Sequence, residues 1–339
     1  MLRSLRVVLL GLSVFVLAGC RRDGGEPRVA FVSNNNYEFW TFAQKGAEAA
    51  AKEQGVIVEF KMPPNGKAEE QQKFIDDLVV KGVKGIAISP NDAKNMSDYL
   101  TRIGKQVPLL TVDNDIPDVA GRRAYLGTHN YRAGRAAGEL VAKAVPDGGK
   151  VVIFVGSMDA TNAVERRQGV LDALAGLDQK EIGKITPADA RDLKVGKFTL
   201  VDTRTDSAKA TVCQQQCEDA LTKYPDIAAV VGLWAYNPPA LLRAVEKSEK
   251  KPAIIGFDED DDTLVGIQQG KVFGTIVQDP FRFGKDSVTI LAGIARGDKD
   301  VFKKYPQMEA ENRIYIPFRV VDKGNVDAFR ADVKAILGK

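Results

Sequence analysis

Short apolar runs alternate with amphipathic helical stretches along almost the whole chain, and this alternation limits the fold more than any other feature of the sequence. Residues 28–33, 56–60, 85–89 and 107–112 each read as a strand. The segments between them, 39–54, 67–81 and 93–105, space their apolar residues for one helical face, as Phe74, Leu78 and Val79 do in the second. The pattern continues with strands expected at 124–126, 150–155, 198–201, 228–233, 253–257 and 272–277, and helices at 132–145, 163–175, 208–224, 239–247, 262–269 and 282–296. Short apolar strands interleaved with helices imply parallel sheets covered on both faces. A chain of 339 residues is too long for one ordinary hydrophobic core, so two α/β lobes are expected.

The N-terminus reads differently. Arg3 and Arg6 precede an apolar run over 7–17, about the length of a signal-peptide core and too short to span a bilayer well. The run ends in Leu17, Ala18, Gly19 and Cys20, an order similar to the bacterial lipobox, in which the chain is cut before a lipidated Cys. Residues 1–19 are therefore expected to be a signal peptide, Cys20 the lipid attachment point, and 20–27 a tether rich in Gly and charge. The chain carries 48 basic and 45 acidic residues; without Arg3 and Arg6, 46 face 45, a balance that argues against nucleic acid as a partner.

Catalytic and metal signatures are missing. His129 is the only histidine, and no GxSxG, HExxH or Walker motif occurs, so the chain is expected to be neither an enzyme nor a metal or cofactor carrier. Cys213 and Cys217 lie four apart in a helical stretch, poorly placed for a disulfide and without the nearby His of a metal site; they read as small buried residues. The acidic run 258–262 lacks the spaced ligands of a calcium loop and reads as a solvated helix N-terminus, where the helix dipole favours acids.

In parallel sheets, ligands sit beyond the carboxyl ends of strands. Those positions hold Asn34, Asn35, Asn36, Tyr37, Phe39 and Trp40; Ser89 and Asn91; Asp113 and Asn114; Gly156 to Asn162, leading to Arg166; Trp234, Tyr236 and Asn237; Asp258; and Gln278. Planar polar side chains interleaved with aromatics suit neutral sugars, whose hydroxyls donate and accept while their C–H faces lie on rings.

At these residues the sequence resembles the ribose/galactose type of periplasmic binding proteins, the sugar-capturing components of ABC importers. The resemblance runs from about Arg28 to Val321. Its marks are residues 29–33 with Phe39, Trp40 and Gly46; Val-Lys-Gly-Ile-Ala-Ile-Ser-Pro at 83–90; Thr-Val-Asp at 111–113; Glu165 and Arg166 with Gly169; and Ile-Gly-Phe-Asp at 255–258. It implies a type I periplasmic binding protein fold: two doubly wound parallel-sheet lobes joined by a three-segment hinge, with crossings near 126–130, 257–278 and 309–317. The N-terminal lobe is then expected at 28–128 plus 279–308 and the C-terminal lobe at 129–278 plus 309–339. By position, Phe39 and Trp40 would sandwich a sugar ring, Asp113 would accept from hydroxyls, Arg166 would donate from the other lobe, and Asp258 and Gln278 would complete the polar set.

Tyr37 stands where ribose binders carry an Asn, Asn114 where they carry an Arg, and Trp234 near their Asn position, with Asn237 close by. These departures point to a hexose or modified sugar. Residues 178–197 read as an insertion. The resemblance also implies a membrane permease as partner, a monomer, and a location in the periplasm or at the cell surface, on a lipid anchor at Cys20. A receptor handing its signal to a membrane kinase or chemoreceptor, or a binder of nucleosides or furanose-like signals, would use the same cleft. A transcription regulator of this fold would need a helix-turn-helix where this chain has its export signal.

Overall fold

A computed structural model describes residues 25–179, 181–305, 308–309 and 312–338. The expected signal peptide and Cys20 lie outside the described residues. The first half of the chain forms β1 (Arg28–Val32), α1 (Phe39–Gln54), β2 (Ile57–Lys61), α2 (Ala68–Val80), β3 (Ile86–Ile88), α3 (Ala93–Gly104), β4 (Leu109–Val112) and β5 (Arg122–Gly127). The second forms α4 (Asn130–Ala144), β6 (Gly149–Val155), α5 (Thr161–Leu174), β7 (Leu193–Val195), β8 (Phe198–Thr205), α6 (Ala210–Lys223), β9 (Ile227–Gly232), α7 (Asn237–Lys247), β10 (Ala253–Phe257), α8 (Asp261–Gln268) and β11 (Gly274–Val277). Then come α9 (Pro280–Ala295), β12 (Met308–Glu309), β13 (Arg313–Tyr315), β14 (Arg319–Asp322) and α10 (Val326–Leu337).

The strands make two seven-stranded sheets, ordered β12-β13-β5-β4-β3-β1-β2 and β14-β11-β10-β9-β6-β8-β7. Both are parallel except at β12, β14 and β7, which pair antiparallel. The inner strands are buried along their length, as their continuous Val, Ile and Ala content requires. Each sheet repeats one winding: from its first parallel strand, β1 or β6, the chain adds β2 or β8 on one side, then the order reverses and three strands follow on the other. Such a reversal opens a crevice at the strand ends.

The chain passes between the sheets three times: after β5 at residues 128–129, after β11 at 278–279, where α9 returns to pack on α1, and between β13 and β14 at 316–318. Because β13 pairs with β5, residues 313–315 belong with the first sheet, and the second-lobe segment expected from 309 begins only after Tyr315. The short strands β7, β12, β13 and β14 and the helix α10 have no counterpart in the sequence pattern. Strands of two to four residues are too short to show a period.

Each lobe fixes one helix pair by reciprocal glycines. In the first, a Cβ on Gly46 of α1 would fall 1.9 Å from the Phe281 carbonyl oxygen, and one on Gly284 of α9 would fall 1.8 Å from that of Ala43. In the second, a Cβ on Gly134 of α4 would lie 2.1 Å from the Arg166 carbonyl oxygen, and one on Gly169 of α5 would lie 2.2 Å from that of Tyr131. No side chain fits there, so the backbones touch. These contacts set the height of α1 and α5, the two helices whose first turns face the crevice.

The insertion is held from beneath. Arg167, beside the candidate Arg166, is buried and donates to the carbonyl oxygens of Thr186 and Pro187 at 2.9 and 3.0 Å and to Thr203 Oγ1 at 2.8 Å. Gln168 Oε1 accepts from the Thr186 amide at 2.6 Å. Glu181 reaches the first crossing, 3.3 Å from His129 Nε2 and 2.5 Å from Arg132 Nη2. Cys213 and Cys217 are free and buried in the second core.

Candidate ligand-binding site

The polar groups of the crevice are built on two matching strand ends. Asp113 follows β4 and Asp258 follows β10, the corresponding strand of the other sheet. Both take the left-handed backbone conformation, with φ of 62° and 67°, which Asp tolerates better than bulkier residues. The Asp113 amide donates to the Leu126 carbonyl at 3.0 Å, and the Asp258 amide to that of Ile276 at 2.8 Å. A hydroxyl on the neighbouring strand holds each carbonyl: Tyr125 on Asp113 and Thr275 on Asp258, both at 3.0 Å. Each carboxylate is thereby turned off its sheet into the space between the lobes.

Around Asp113, Ser89 Oγ donates to Oδ2 at 3.2 Å and Asn34 Nδ2 stands 3.5 Å from the same oxygen. Arg166 comes from the opposite lobe, with Nη2 3.9 Å from Asp113 Oδ1. Arg166 is 1% exposed; its Nε donates to Asn130 Oδ1 at 3.0 Å, its Nη1 to the Leu233 carbonyl at 2.9 Å, and its Cζ lies 4.6 Å from the centre of the Phe257 ring. On the hinge side, Gln278 Nε2 donates to Asp258 Oδ1 at 3.0 Å. Burial pushes the Asp113 carboxyl up to about 6, with the Arg166 charge pulling down and Asp258 pushing up. Asp258 is likewise raised by burial and held back by Arg166.

Three atoms of this set are buried without a hydrogen-bond partner: Asn114 Oδ1, Arg166 Nη2 and Gln278 Oε1. One belongs to the first lobe, one to the second and one to the second crossing. Unsatisfied buried polar atoms are uncommon and costly, at about 1–3 kcal/mol each.

The aromatic candidates divide. Phe39 is half-buried at the head of α1, edge-on to Trp40 at 5.1 Å and to Phe283 at 6.2 Å. Trp40 is 2% exposed and packs against Phe31; its indole N–H donates to Asn34 Oδ1 at 2.8 Å, which ties it to Asp113 through Asn34. Tyr37 crosses the cleft, its hydroxyl donating to Asp260 Oδ2 at 2.7 Å and its ring lying 6.4 Å from Tyr236. Trp234 is half-buried and donates through Nε1 to Asn162 Oδ1 at 3.2 Å.

Two expected residues stand elsewhere. Asn36 is exposed on its turn. Asn237 is fully buried, and its side chain is spent on its own lobe: Oδ1 accepts from the Trp234 amide at 2.9 Å, and Nδ2 reaches Asp206 at 3.0 Å and Cys213 Sγ at 3.3 Å. The position after a strand located it, but the start of α7 turns the side chain inward. The acidic run also divides. Asp260 caps α8 and Asp261 and Asp262 fill its first turn, as expected, whereas Asp258 and Glu259 are buried between the lobes. The strand-end positions include Asn34, Ser89 and Asn162 without a role for any of them, and Glu259 reads in sequence only as part of the solvated acidic run.

No helix among the described residues is long and apolar enough to cross a membrane, and no cluster among them is arranged to hold a metal ion. Residues 29–299 match a family described as the periplasmic binding protein domain. The ribose import binding protein of Haemophilus influenzae is 26% identical over 293 residues, covering 86% of this chain and 92% of that one. That of Bacillus subtilis is 26% identical over 313 residues, covering 86% and 93%. A solved solute-binding protein of an ABC transporter from Burkholderia graminis, in complex with D-arabinose, superposes with a TM-score of 0.77 at 26% identity, covering 90% of this chain and 98% of that one.

Proposed function

The chain belongs to the periplasmic binding protein domain family, and from that premise we propose that it captures a monosaccharide between its lobes and delivers it to an ABC-type importer. The observation that carries this reading is the set of unsatisfied buried atoms: an acceptor on Asn114, a donor on Arg166 and an acceptor on Gln278, supplied by both lobes and the hinge. A polyol offers donors and acceptors on adjacent carbons and satisfies such a set; an apolar ligand does not. Asp113 and Asp258 accept from hydroxyls, Arg166 donates, and Phe39 covers a C–H face of the ring. The ligand inserts between Asp113 and Arg166, so the contact that joins the empty lobes becomes a contact through sugar. The three crossings at 128–129, 278–279 and 316–318 absorb the opening that lets it in.

The ribose import and D-arabinose-bound relatives support a sugar as the ligand class. A periplasmic family supports work outside the cytoplasm. In this reading the chain is a monomer exported by residues 1–19 and held at the membrane by lipid on Cys20, as the sequence order supports. Mass spectrometry of the mature N-terminus checks the anchor.

The function is tested by thermal-shift titration of residues 28–339 against pentoses, hexoses and sugar alcohols, with nucleosides as controls. A ligand at a hundredfold excess over its Kd adds about 2.7 kcal/mol of stability. Stabilisation by one sugar and not by its epimers is the expected outcome; stabilisation by a nucleoside alone replaces the ligand class.

A further inference from the structure

A cavity of about 260 Å³ opens beside Asp258, between the head of α1, the turn after β10 and the helix α10. Its walls carry Glu38 from the first lobe and Asp258, Glu259 and Asp260 from the second, facing Lys334 and Arg330 of α10. Three of these charges have partners within the protein. Asp258 is bonded to Gln278, Asp260 accepts from Tyr37, and Arg330 pairs with Asp261 at 2.7 Å. Glu259 is 9% exposed, and its Oε2 is buried with no hydrogen-bond partner. Burial raises its proton affinity well above the ordinary carboxylate range, and the neighbouring Asp258, Asp279 and Glu38 raise it further.

We propose that the ligand carries a protonated amine, as an amino sugar or an aminocyclitol does, and that Glu259, with Glu38 across the cleft, receives it. This deepens the sugar-capture reading and rests on it. A neutral polyol satisfies the hydrogen bonds of the Asp113 side but brings no charge to the buried Glu259 carboxyl. A buried carboxyl among carboxylates either keeps its proton or meets a cation. An ammonium group supplies the charge and three N–H donors at once. The carboxylates are spread around the cavity and form no group arranged for a metal ion among the described residues, which favours an organic cation. Phe39 lines the same cavity and presents the aromatic surface on which such a cation is further stabilised.

Matched pairs test the inference: D-glucosamine with D-glucose, D-galactosamine with D-galactose, and D-mannosamine with D-mannose, titrated at pH 7 by calorimetry and thermal shift. The wild-type chain is expected to bind one amino sugar at least about tenfold tighter than its neutral parent. Glu259→Gln, which keeps the shape and removes the charge, is expected to bring that ratio close to one and to raise the melting temperature of the ligand-free protein. Glu38→Gln, at an exposed position on the same cavity, is expected to reduce the ratio part of the way. Binding of a neutral sugar as tight as its amino counterpart overturns the inference and leaves sugar capture standing. So does a preference that survives Glu259→Gln. Failure of every member of every pair to bind counts against both.

Discussion

The two half-sites are one backbone design with different side chains. Asp113 and Asp258 end corresponding strands, share the left-handed turn and use the same two anchoring hydrogen bonds. The next residue differs: Asn114 in the first lobe, Glu259 in the second, each with a buried unpartnered oxygen. The first half-site is therefore a neutral acceptor next to a carboxylate already met by Arg166, and the second is a carboxylate pair met only by Gln278 and the shared charge of Arg166. A duplicated fold thus fixes where the groups stand, and single residues decide the charge that a ligand must bring.

The hardest blow to this arrangement is removal of the cation that both halves share. Arg166→Ala leaves Asp113 and Asp258 facing each other, and ligand affinity is expected to fall by about 2–5 kcal/mol in calorimetry. Loss of less than tenfold would mean that the halves do not depend on Arg166. Next comes the Asp113 proton. From about pH 3.8 to 6 the folded protein holds a proton that the unfolded chain has released, so this group makes stability fall as pH rises through that window. Asp113→Asn removes the slope and is expected to stabilise the ligand-free protein at pH 7 by on the order of 2–3 kcal/mol while weakening binding. Denaturant titrations at pH 4 and 7 check both signs.

Glycine substitutions compare the supports. Gly134→Ala and Gly284→Ala are each expected to destabilise by about 1–3 kcal/mol. Gly134→Ala should also weaken binding, because its new Cβ strikes the Arg166 backbone itself. Equal losses of affinity in the two would erase the distinction between a support that carries the cation and one that carries a ring. The smallest effect is expected from Tyr37→Phe, which removes the hydroxyl contact with Asp260 across the cleft. About 0.5–1.5 kcal/mol of closure is at stake, visible as a more open average shape in small-angle scattering.

Much of this was written in the chain. Val29 to Val32 and Ile254 to Phe257 announce central parallel strands because nothing polar interrupts them, and the strand-end rule then leads to Asp113, Arg166, Asp258 and Gln278, which the structure brings together. Periodicity could not give side-chain direction at the chain turns. Asn36 and Asn237 flank strands just as Asn34 and Asn162 do, yet one faces water and another bonds its own lobe. Nor could the pattern show that Arg166 and Arg167, adjacent and alike, part to opposite duties. One reaches the cleft and the other underpins the insertion, because consecutive residues of a helix point about 100° apart.

The packing of α1 on α9 has a consequence for how the molecule comes into being. The two helices touch through Gly46 and Gly284, yet the whole of the second lobe up to β11 is spelled out between them. By residue 277 that lobe holds every strand except the edge strand β14, whereas the first lobe still awaits α9, β12 and β13. Contacts that close so long a loop form late, and the surface waiting for them stays uncovered in the meantime. The lobe that begins the chain thus waits for nearly all of the other before α9 covers it, and the apolar face of α1 is where a nascent copy is most exposed to unwanted company.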